Sequence, residues 1–421
     1  MTDPLVLFRA IHLAATVFAC GTVAFLVMVA EPVLTRSGGA APASLTGLRR
    51  RYTLMIWIAL AVAALSEAAW LIWLSAEIYG APIVAVCLHG GVWTVLADTR
   101  FGLICTIRLA LAAVLALLVA WPAARLLQLA AAAGLTVPIA FVGHAGATPG
   151  SAGDVHLASD MMHLLAAAGW LGALPALAML LAKARRADQP KWRGYAVSAT
   201  RRYSWLGVVC VAVLLASGVV NSWNLLGGPR DLLTTDYGRL LLLKIGLFVA
   251  MLGIAAANRF HLTRRLPAAG ALRALQRNAL TETGLGLGVL LLVGALGTLS
   301  PSDHARSVTA EVPRDAAFVH IHTSLAVAEV TIEPGRIGAA DARIRVLRED
   351  FSEHPARSVE LALDPPGGGP TITRMAAHLP DGTWQVKGVD LPHSGTWTVR
   401  VTIPNDDGAP IVLDSPVVIA P

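Results

Sequence analysis

Along residues 1–300, apolar runs of membrane-spanning length alternate with short polar segments. A helix needs roughly 20 apolar residues to cross the hydrocarbon of a bilayer. Eight runs meet that length, with edges near 5–30, 54–75, 102–121, 124–142, 157–182, 203–224, 238–257 and 280–299. Trp121-Pro122 separates the third from the fourth. After Pro301 the period changes. Short alternating runs, Ser307–Val312, Val327–Ile332, Ala342–Leu347 and Thr396–Ile403, stand between the turn signals Pro334-Gly335, Pro365-Pro366-Gly367, Asp381-Gly382 and Asn405 to Gly408. Period-two runs at such spacing predict a small β-sandwich. The expected fold class is an α-helical polytopic membrane protein of eight transmembrane helices with a C-terminal extracytoplasmic β-sandwich. The expected domains are a membrane domain over 1–300, a linker over 301–315 and a β-domain over 308–421.

Composition narrows the function. Of 421 residues, 55% are hydrophobic and 14% charged, and the mean hydropathy is +0.63. Soluble domains carry about 25% charge, so a soluble globular enzyme, a disordered tail and a nucleic-acid binder are excluded. Residues 1–300 hold 23 Lys and Arg against 11 Asp and Glu, whereas 301–421 hold 10 against 16. The basic residues alternate between loops. Arg36, Arg49, Arg50 and Arg51 follow the first run, Arg125 the third, Lys183 to Arg202 the fifth, and Arg259 to Arg277 the seventh, 17 in all. The positive-inside rule places these in the cytoplasm and both termini outside it. Cys20, Cys87, Cys105 and Cys210 form no C-x-x-C pair and the tail has no cysteine, so no disulfide framework is expected. Thr2-Asp3-Pro4 lacks the basic region of a cleaved leader, and the run from Leu5 to Ala30 is too long for one. No nucleotide-binding motif is present, so ATP is not the expected driver.

The membrane part repeats itself over about 1–145 and 150–300. His12-Leu13, Ala14-Ala15 and Gly21 match His163-Leu164, Ala166-Ala167 and Gly172, with nine residues from His to Gly in both. Arg50-Arg51-Tyr52-Thr53 matches Arg201-Arg202-Tyr203-Ser204, and Ser66 and Ser217 each follow that Tyr by 14. Thr99, Phe101-Gly102 and Arg108 match Thr235, Tyr237-Gly238 and Lys244. An even number of spans per half makes this a four-plus-four parallel repeat.

Ionisable groups inside a bilayer cost several kcal/mol, so each is a functional candidate. They gather in the outer half. His12 and His163 lie about 10 Å below the outer boundary at 1.5 Å per residue. His156, Asp160 and His163, spaced i, i+4, i+7, share one helix face. Eleven of twelve histidines fall in the outer half, the outer loops or the tail, and imidazole is the commonest metal ligand near neutral pH. The candidate metal ligands are His12, His163, His156, His144, Asp160, Met161 and Met162, with His320 and His322 of the tail as a further half-site. Imidazole with carboxylate suits Cu(II) or Zn(II), and added thioether suits Cu(I). Arg108 and Lys244 are the buried cations of the two halves, with Glu67, Asp98, Asp160 and Asp236 as candidate counter-charges. The competing reading makes the histidines packing groups that hydrogen-bond across helices. It makes Met161 and Met162 filler, and His320 and His322 an exposed strand pair.

At these residues the chain resembles the bacterial CopD family of copper-resistance and copper-uptake membrane proteins. The resemblance rests on Asp160-x-x-His163-Leu164 to Trp170-Leu171-Gly172, on Thr235-x-Tyr237-Gly238-Arg239-Leu240-Leu241-Leu242-x-Lys244, and on Asn258-Arg259 and Leu296-Gly297-Thr298-Leu299-x-Pro301. It covers nearly all of 1–300. Residues 308–421 look like a YtkA-like β-domain, marked by Val330-x-Ile332-x-Pro334-Gly335 and Leu391-Pro392-x-x-Gly395-x-Trp397. The resemblance implies copper ion transport, in the import direction, at the cytoplasmic membrane, with copper as cargo and no enzymatic activity. YcnJ-type importers begin with a CopC-like domain, whereas this chain starts at its first span, which implies a separate CopC-like copper carrier. Two other classes stay open. Paired intramembrane histidines also hold haem b in membrane cytochromes, which would make the chain an oxidoreductase. A structural or sensory membrane protein, whose β-domain recruits a partner, is the third.

Overall fold

Apolar composition over more than five turns leaves a chain in lipid one way to satisfy its backbone, and the described residues between 4 and 299 are helical almost throughout. The computed structural model describes residues 4–36, 43–79, 81–121, 123–143, 150–186, 190–226, 228, 230–266, 268–299, 313, 315–323, 326–348, 354–366, 368–404 and 410–421. The chain divides into two compact units, the first of residues 1–148 and 152–303, the second of residues 304–421 with 149–151.

The helices of the first unit are α1 (Pro4–Ala24), α2 (Glu31–Arg36), α3 (Ala43–Tyr79), α4 (Ile83–Leu88), α5 (Gly91–Asp98), α6 (Arg100–Val119), α7 (Arg125–Thr136), α8 (Gly150–Trp170), α9 (Leu174–Arg186), α10 (Pro190–Leu225), α11 (Asp231–Thr234), α12 (Asp236–Ala257) and α13 (Ala269–Leu296). Among the described residues seven segments are long and apolar enough to cross a membrane: Pro4–Val33, Thr46–Tyr79, Arg100–Val119, Gly153–Arg186, Lys191–Leu225, Asp236–Arg265 and Ala269–Leu296. The expected eighth, near 124–142, is shorter. It comprises α7 and a 3-10 turn, Val137–Phe141, within Arg125–Phe141. Pro138 lies at the start of that turn, where its missing amide hydrogen cannot continue an α-helix. Three short helices, α4, α5 and α11, occupy segments expected as loops.

The expected spans near 54–75 and 203–224 sit inside much longer helices, α3 of 37 residues and α10 of 36. Each reaches about 55 Å at 1.5 Å per residue. Their tyrosines tie the halves together. Tyr52 of α3 donates to the Ala176 carbonyl at 3.1 Å, and Tyr203 of α10 donates to the Trp170 carbonyl at 2.8 Å. The Phe25 ring stands 5.9 Å from Tyr52 and 6.3 Å from Tyr203.

The two histidine-bearing helices, α1 and α8, meet at glycines. A Cβ on Gly21 would enter the Gly172 backbone, and one on Gly172 would enter the Val17 carbonyl. Small residues permit such approach between membrane helices. At that crossing the fifth span breaks over residues 171–173, between α8 and α9. Matched caps close the third helix of each half. The Thr99 hydroxyl accepts from the Gly102 amide, and Thr235 from the Gly238 amide, each at 3.0 Å.

Among the described residues the second unit has nine strands: β1 (Ala317–His322), β2 (Val327–Glu333), β3 (Gly338–Leu347), β4 (Glu360–Asp364), β5 (Ile372–Met375), β6 (Ala377–His378), β7 (Trp384–Leu391), β8 (Gly395–Ile403) and β9 (Ile411–Ile419). They form two antiparallel sheets, β1-β2-β3-β7-β6 and β5-β4-β8-β9. Alternate residues such as Val330, Ile332, Ile344, Leu361, Val399 and Val401 fill the core around Trp397, whose indole donates to the His393 carbonyl at 2.9 Å. The expected runs at Val327–Ile332, Ala342–Leu347 and Thr396–Ile403 fall in β2, β3 and β8. Ser307–Val312 and most of the 301–315 linker lie outside the described residues.

Candidate functional site

In the first half the cluster is closed. The His12 ring is 1% exposed. Its Nδ1 lies 3.0 Å from the Ala63 carbonyl, which can only accept, so Nδ1 carries the proton. Nε2 then presents its lone pair to Arg108, whose Nη2 lies 2.5 Å away. Arg108 also donates through Nε to Glu67 Oε1 at 2.9 Å, through Nη1 to the Leu135 carbonyl at 2.8 Å, and through Nη2 to Thr16 at 3.2 Å. One guanidinium therefore joins α1, α3, α6 and α7. Glu67 is its counter-charge. Asp98, also a candidate for that role, is exposed at the end of α5.

In the second half the same frame is open. His163 Nδ1 lies 2.9 Å from Ser217 Oγ. The Ser217 hydroxyl donates back to the Val213 carbonyl at 2.6 Å, so toward the ring its oxygen accepts. That puts the His163 proton on Nδ1 and leaves the Nε2 lone pair with no partner among the described residues. The cause is readable in the repeat. Glu67 corresponds to Gly218, and a Cβ there would lie 3.8 Å from His163 Cε1. The carboxylate of one half has no counterpart at that position in the other. Arg9 corresponds to Asp160, so the anion moves from the second helix of the half to the first. Asp160 Oδ1 accepts from Asn221 Nδ2 at 3.0 Å, and the Lys244 ammonium acts electrostatically on both Asp160 and His163. Asp236 is exposed and pairs with Arg239 at 3.4 Å, away from Lys244. It lies in the first turn of α12, outside the packed bundle.

The other candidates scatter. His156 is buried near the start of α8. Met162 is 50% exposed, and Met161 is half-buried. His144 lies outside the described residues. In the second unit His320 Nδ1 lies 3.4 Å from Glu329 Oε1; the side chain of His322 lies outside the description. Among the described residues no three His, Cys, Asp or Glu side chains gather to hold a metal ion.

His12 and His163 do not fit a haem held between them. Each lies nine residues before its crossing glycine, and nine residues at 3.6 per turn make two and a half turns. Each ring is therefore turned away from the α1–α8 contact into its own half, as their contacts with α3 and α10 show. Two axial imidazoles must aim at one iron.

Two buried carboxylates toward the basic loops escape the sequence reading. Glu31 sits under Arg49 at 2.6 Å and Arg125 at 3.0 Å. Glu282, 2% exposed in α13, accepts from Asn258 at 2.7 Å. Both stand at the ends of long apolar runs, where a single charge reads as a boundary marker.

A helical bundle built around two corresponding His-and-cation clusters defines a polytopic membrane protein with an intramembrane polar site. The model of the copper resistance protein D-like N-terminal domain matches residues 1–154, and that of copper resistance protein D matches 197–296. The chain is 36% identical to the inner membrane protein YebZ of Escherichia coli, over 50% of this chain and 72% of that one. It is 31% identical to copper resistance protein D of Pseudomonas syringae pv. tomato, over 64% and 88%. It is 28% identical to the copper transport protein CutJ of Bacillus subtilis, over 64% and 47%. The chain belongs to the copper resistance protein D family, membrane proteins of copper handling. No solved structure matches it.

Proposed function

We propose that the chain carries copper inward across the cytoplasmic membrane through the cluster of its second half, with His163 and Asp160 as the ligands met inside the bundle. The observation that carries this reading is the unpartnered Nε2 lone pair of His163 beside Gly218. A neutral imidazole with a free nitrogen is the form that binds a metal. Asp160 supplies a negative oxygen four residues from His156 and three from His163, on the same face. Imidazole and carboxylate suit Cu(II), and Met161 offers the thioether that Cu(I) prefers. His156 is assigned to the mouth of this path, and the sequence reading adds His144, which lies outside the described residues. His12 is a ligand in the sequence reading, but its lone pair is taken by Arg108, so the first half serves as scaffold.

The orientation belongs to the same proposal. The 17 basic residues face the cytoplasm, and both termini and the β-unit lie outside it. A separate CopC-like carrier delivers copper to that side. The name of a relative as a copper transport protein supports the reading.

The test is copper binding and uptake by the full chain in proteoliposomes. His163→Ala is expected to lower copper affinity and uptake at least tenfold, the scale of losing a metal-site contact, with the yield of folded protein unchanged. Full copper content in His163→Ala and in Asp160→Asn would refute it. A Soret absorption in the purified protein would favour the haem class instead.

A further inference from the structure

Glu282 is buried in a way the copper path does not use. It lies in α13, five residues beyond Arg277 and so about 7.5 Å further along the helix from the basic end. Its side chain meets the π-turn Asn258–Leu262 that ends the preceding span. Asn278 Nδ2 donates to Asn258 Oδ1 at 2.7 Å, and Asn258 Nδ2 donates to Glu282 Oε1 at 2.7 Å. The two amides thus form a chain whose N–H ends point toward the carboxylate. π-turns recur at functional sites in helices.

No cation answers this carboxylate among the described residues. The charged and titratable groups on the elements around it are engaged elsewhere or exposed, Arg186, Arg273 and Arg277 among the exposed. Arg259 of the π-turn donates to the Ser204 hydroxyl at 2.7 Å and covers the Trp205 ring. Tyr203 of α10, which acts electrostatically on Glu282, donates its hydroxyl to Trp170. On α9, Lys183 covers Trp192 and Arg185 donates to Gln276. His261, Arg264 and Arg265 are exposed. Glu31, the other buried carboxylate toward the basic loops, carries two guanidiniums. An ionised carboxylate left without a cation in an apolar interior costs several kcal/mol, so Glu282 holds a positive ligand.

The chemistry of the pocket selects which one. A metal cation needs several oxygens turned toward it. Here Oε1 faces an N–H, Asn258 Oδ1 faces another, and the Asn258 carbonyl already accepts from the Thr263 hydroxyl at 2.7 Å and from its amide. Among the described residues Oε2 of Glu282 is left as the one carboxylate oxygen with no donor, and a single such oxygen suits a proton. We propose that Glu282 is a proton-binding site that exchanges with water at the basic-loop face, and that its proton is exchanged in step with the copper ion. The second clause rests on the copper reading above. Loading is transfer of H⁺ from hydronium to the Glu282 carboxylate, and unloading is the reverse, with no redox change.

Two measurements on the full chain test it. Infrared difference spectra over a pH titration are expected to show one carboxylic C=O band in the wild type that is absent in Glu282→Gln and displaced in Glu282→Asp. Glutamine keeps an oxygen for Asn258, so this variant is expected to fold. Identical spectra in wild type and Glu282→Gln would overturn the site. In proteoliposomes, an imposed pH gradient is expected to change wild-type copper uptake several-fold and to leave Glu282→Gln indifferent, while copper binding stays equal. A wild type blind to the gradient, or a gradient-sensitive Glu282→Gln, would overturn the exchange. Absence of any copper uptake by the wild type would refute the copper reading instead, and the infrared titration would still decide whether Glu282 binds the proton.

Discussion

Arg108 is the group on which the first half closes. Its guanidinium reaches a carboxylate, an imidazole, a hydroxyl and a carbonyl on three other helices, and it is 2% exposed. Removing one member of a buried ion pair costs about 3–5 kcal/mol, because the other is left charged and alone. Arg108→Met is therefore expected to lower the thermal midpoint of the detergent-solubilised chain sharply. The double variant with Glu67→Gln should recover part of that loss, since no charge is then stranded. Equal midpoints for Arg108→Met and wild type would contradict the network. Lys244→Met is expected to cost less, because among the described residues no carboxylate lies within ion-pair distance of its ammonium. The sequence placed both cations at matching positions of the two halves, since charged residues in apolar runs stand out. It could not choose among Glu67, Asp98, Asp160 and Asp236, because that choice depends on which helix turns toward which. Nor could it separate His12 from His163. Their neighbourhoods match in sequence, and the difference arises from Glu67 standing where the second half has Gly218.

Between elements, the decisive contact is the glycine crossing of α1 and α8. A methyl group at Gly21 would overlap the backbone of Gly172, and a backbone cannot move aside as a flexible side-chain end can. Gly21→Ala and Gly172→Ala are expected to reduce folded, monodisperse protein in size-exclusion chromatography. Gly246→Ala has nothing within 4 Å of its new carbon. It is expected to be neutral or to stabilise by about 0.5–1 kcal/mol, as alanine does for glycine within a helix. If all three variants behave alike, the close approach is not limiting. The His-to-Gly spacing of nine made the duplication legible, whereas the break at residues 171–173 was not. Leu171, Gly172 and Ala173 are as apolar as their surroundings, and only the approach of α1 gives the break a cause. The shortening of the eighth span had a visible signal in Pro138, but a proline inside an apolar run also fits a kinked helix that continues.

At the scale of the whole molecule, two kinds of solvent meet in one chain. The helical unit buries its polar groups and turns Leu65, Leu117, Leu126 and Trp223 outward, each more than half exposed. Such an apolar exterior fits lipid and would aggregate in water. Orientation follows from charge. Single cysteines introduced at Gln189 and Ser302 are expected to react with a membrane-impermeant reagent from opposite sides, Ser302 from outside the cytoplasm. Labelling of Ser302 only from the cytoplasm would overturn the proposed topology. The β-unit obeys the opposite rule. Its apolar residues point inward between two sheets, around a fully buried Trp397, and β7 and β8 alternate buried with more exposed positions along most of their length. Each sheet face that meets the core has a partner within the unit, so the hydrophobic drive to fold is satisfied without lipid. About 115 residues is also enough for an independent sandwich. A fragment beginning near Ser307 is therefore expected to be soluble, to give a β-rich circular dichroism spectrum and to unfold cooperatively on heating. Trp397→Ala would remove the largest fully buried side chain, with an expected cost of about 3–5 kcal/mol. Because that cost is comparable to the whole stability of a small domain, the substituted fragment should lose its cooperative transition at ordinary temperature. A wild-type fragment that stays unfolded in aqueous buffer would show that the unit depends on the helical part for its fold.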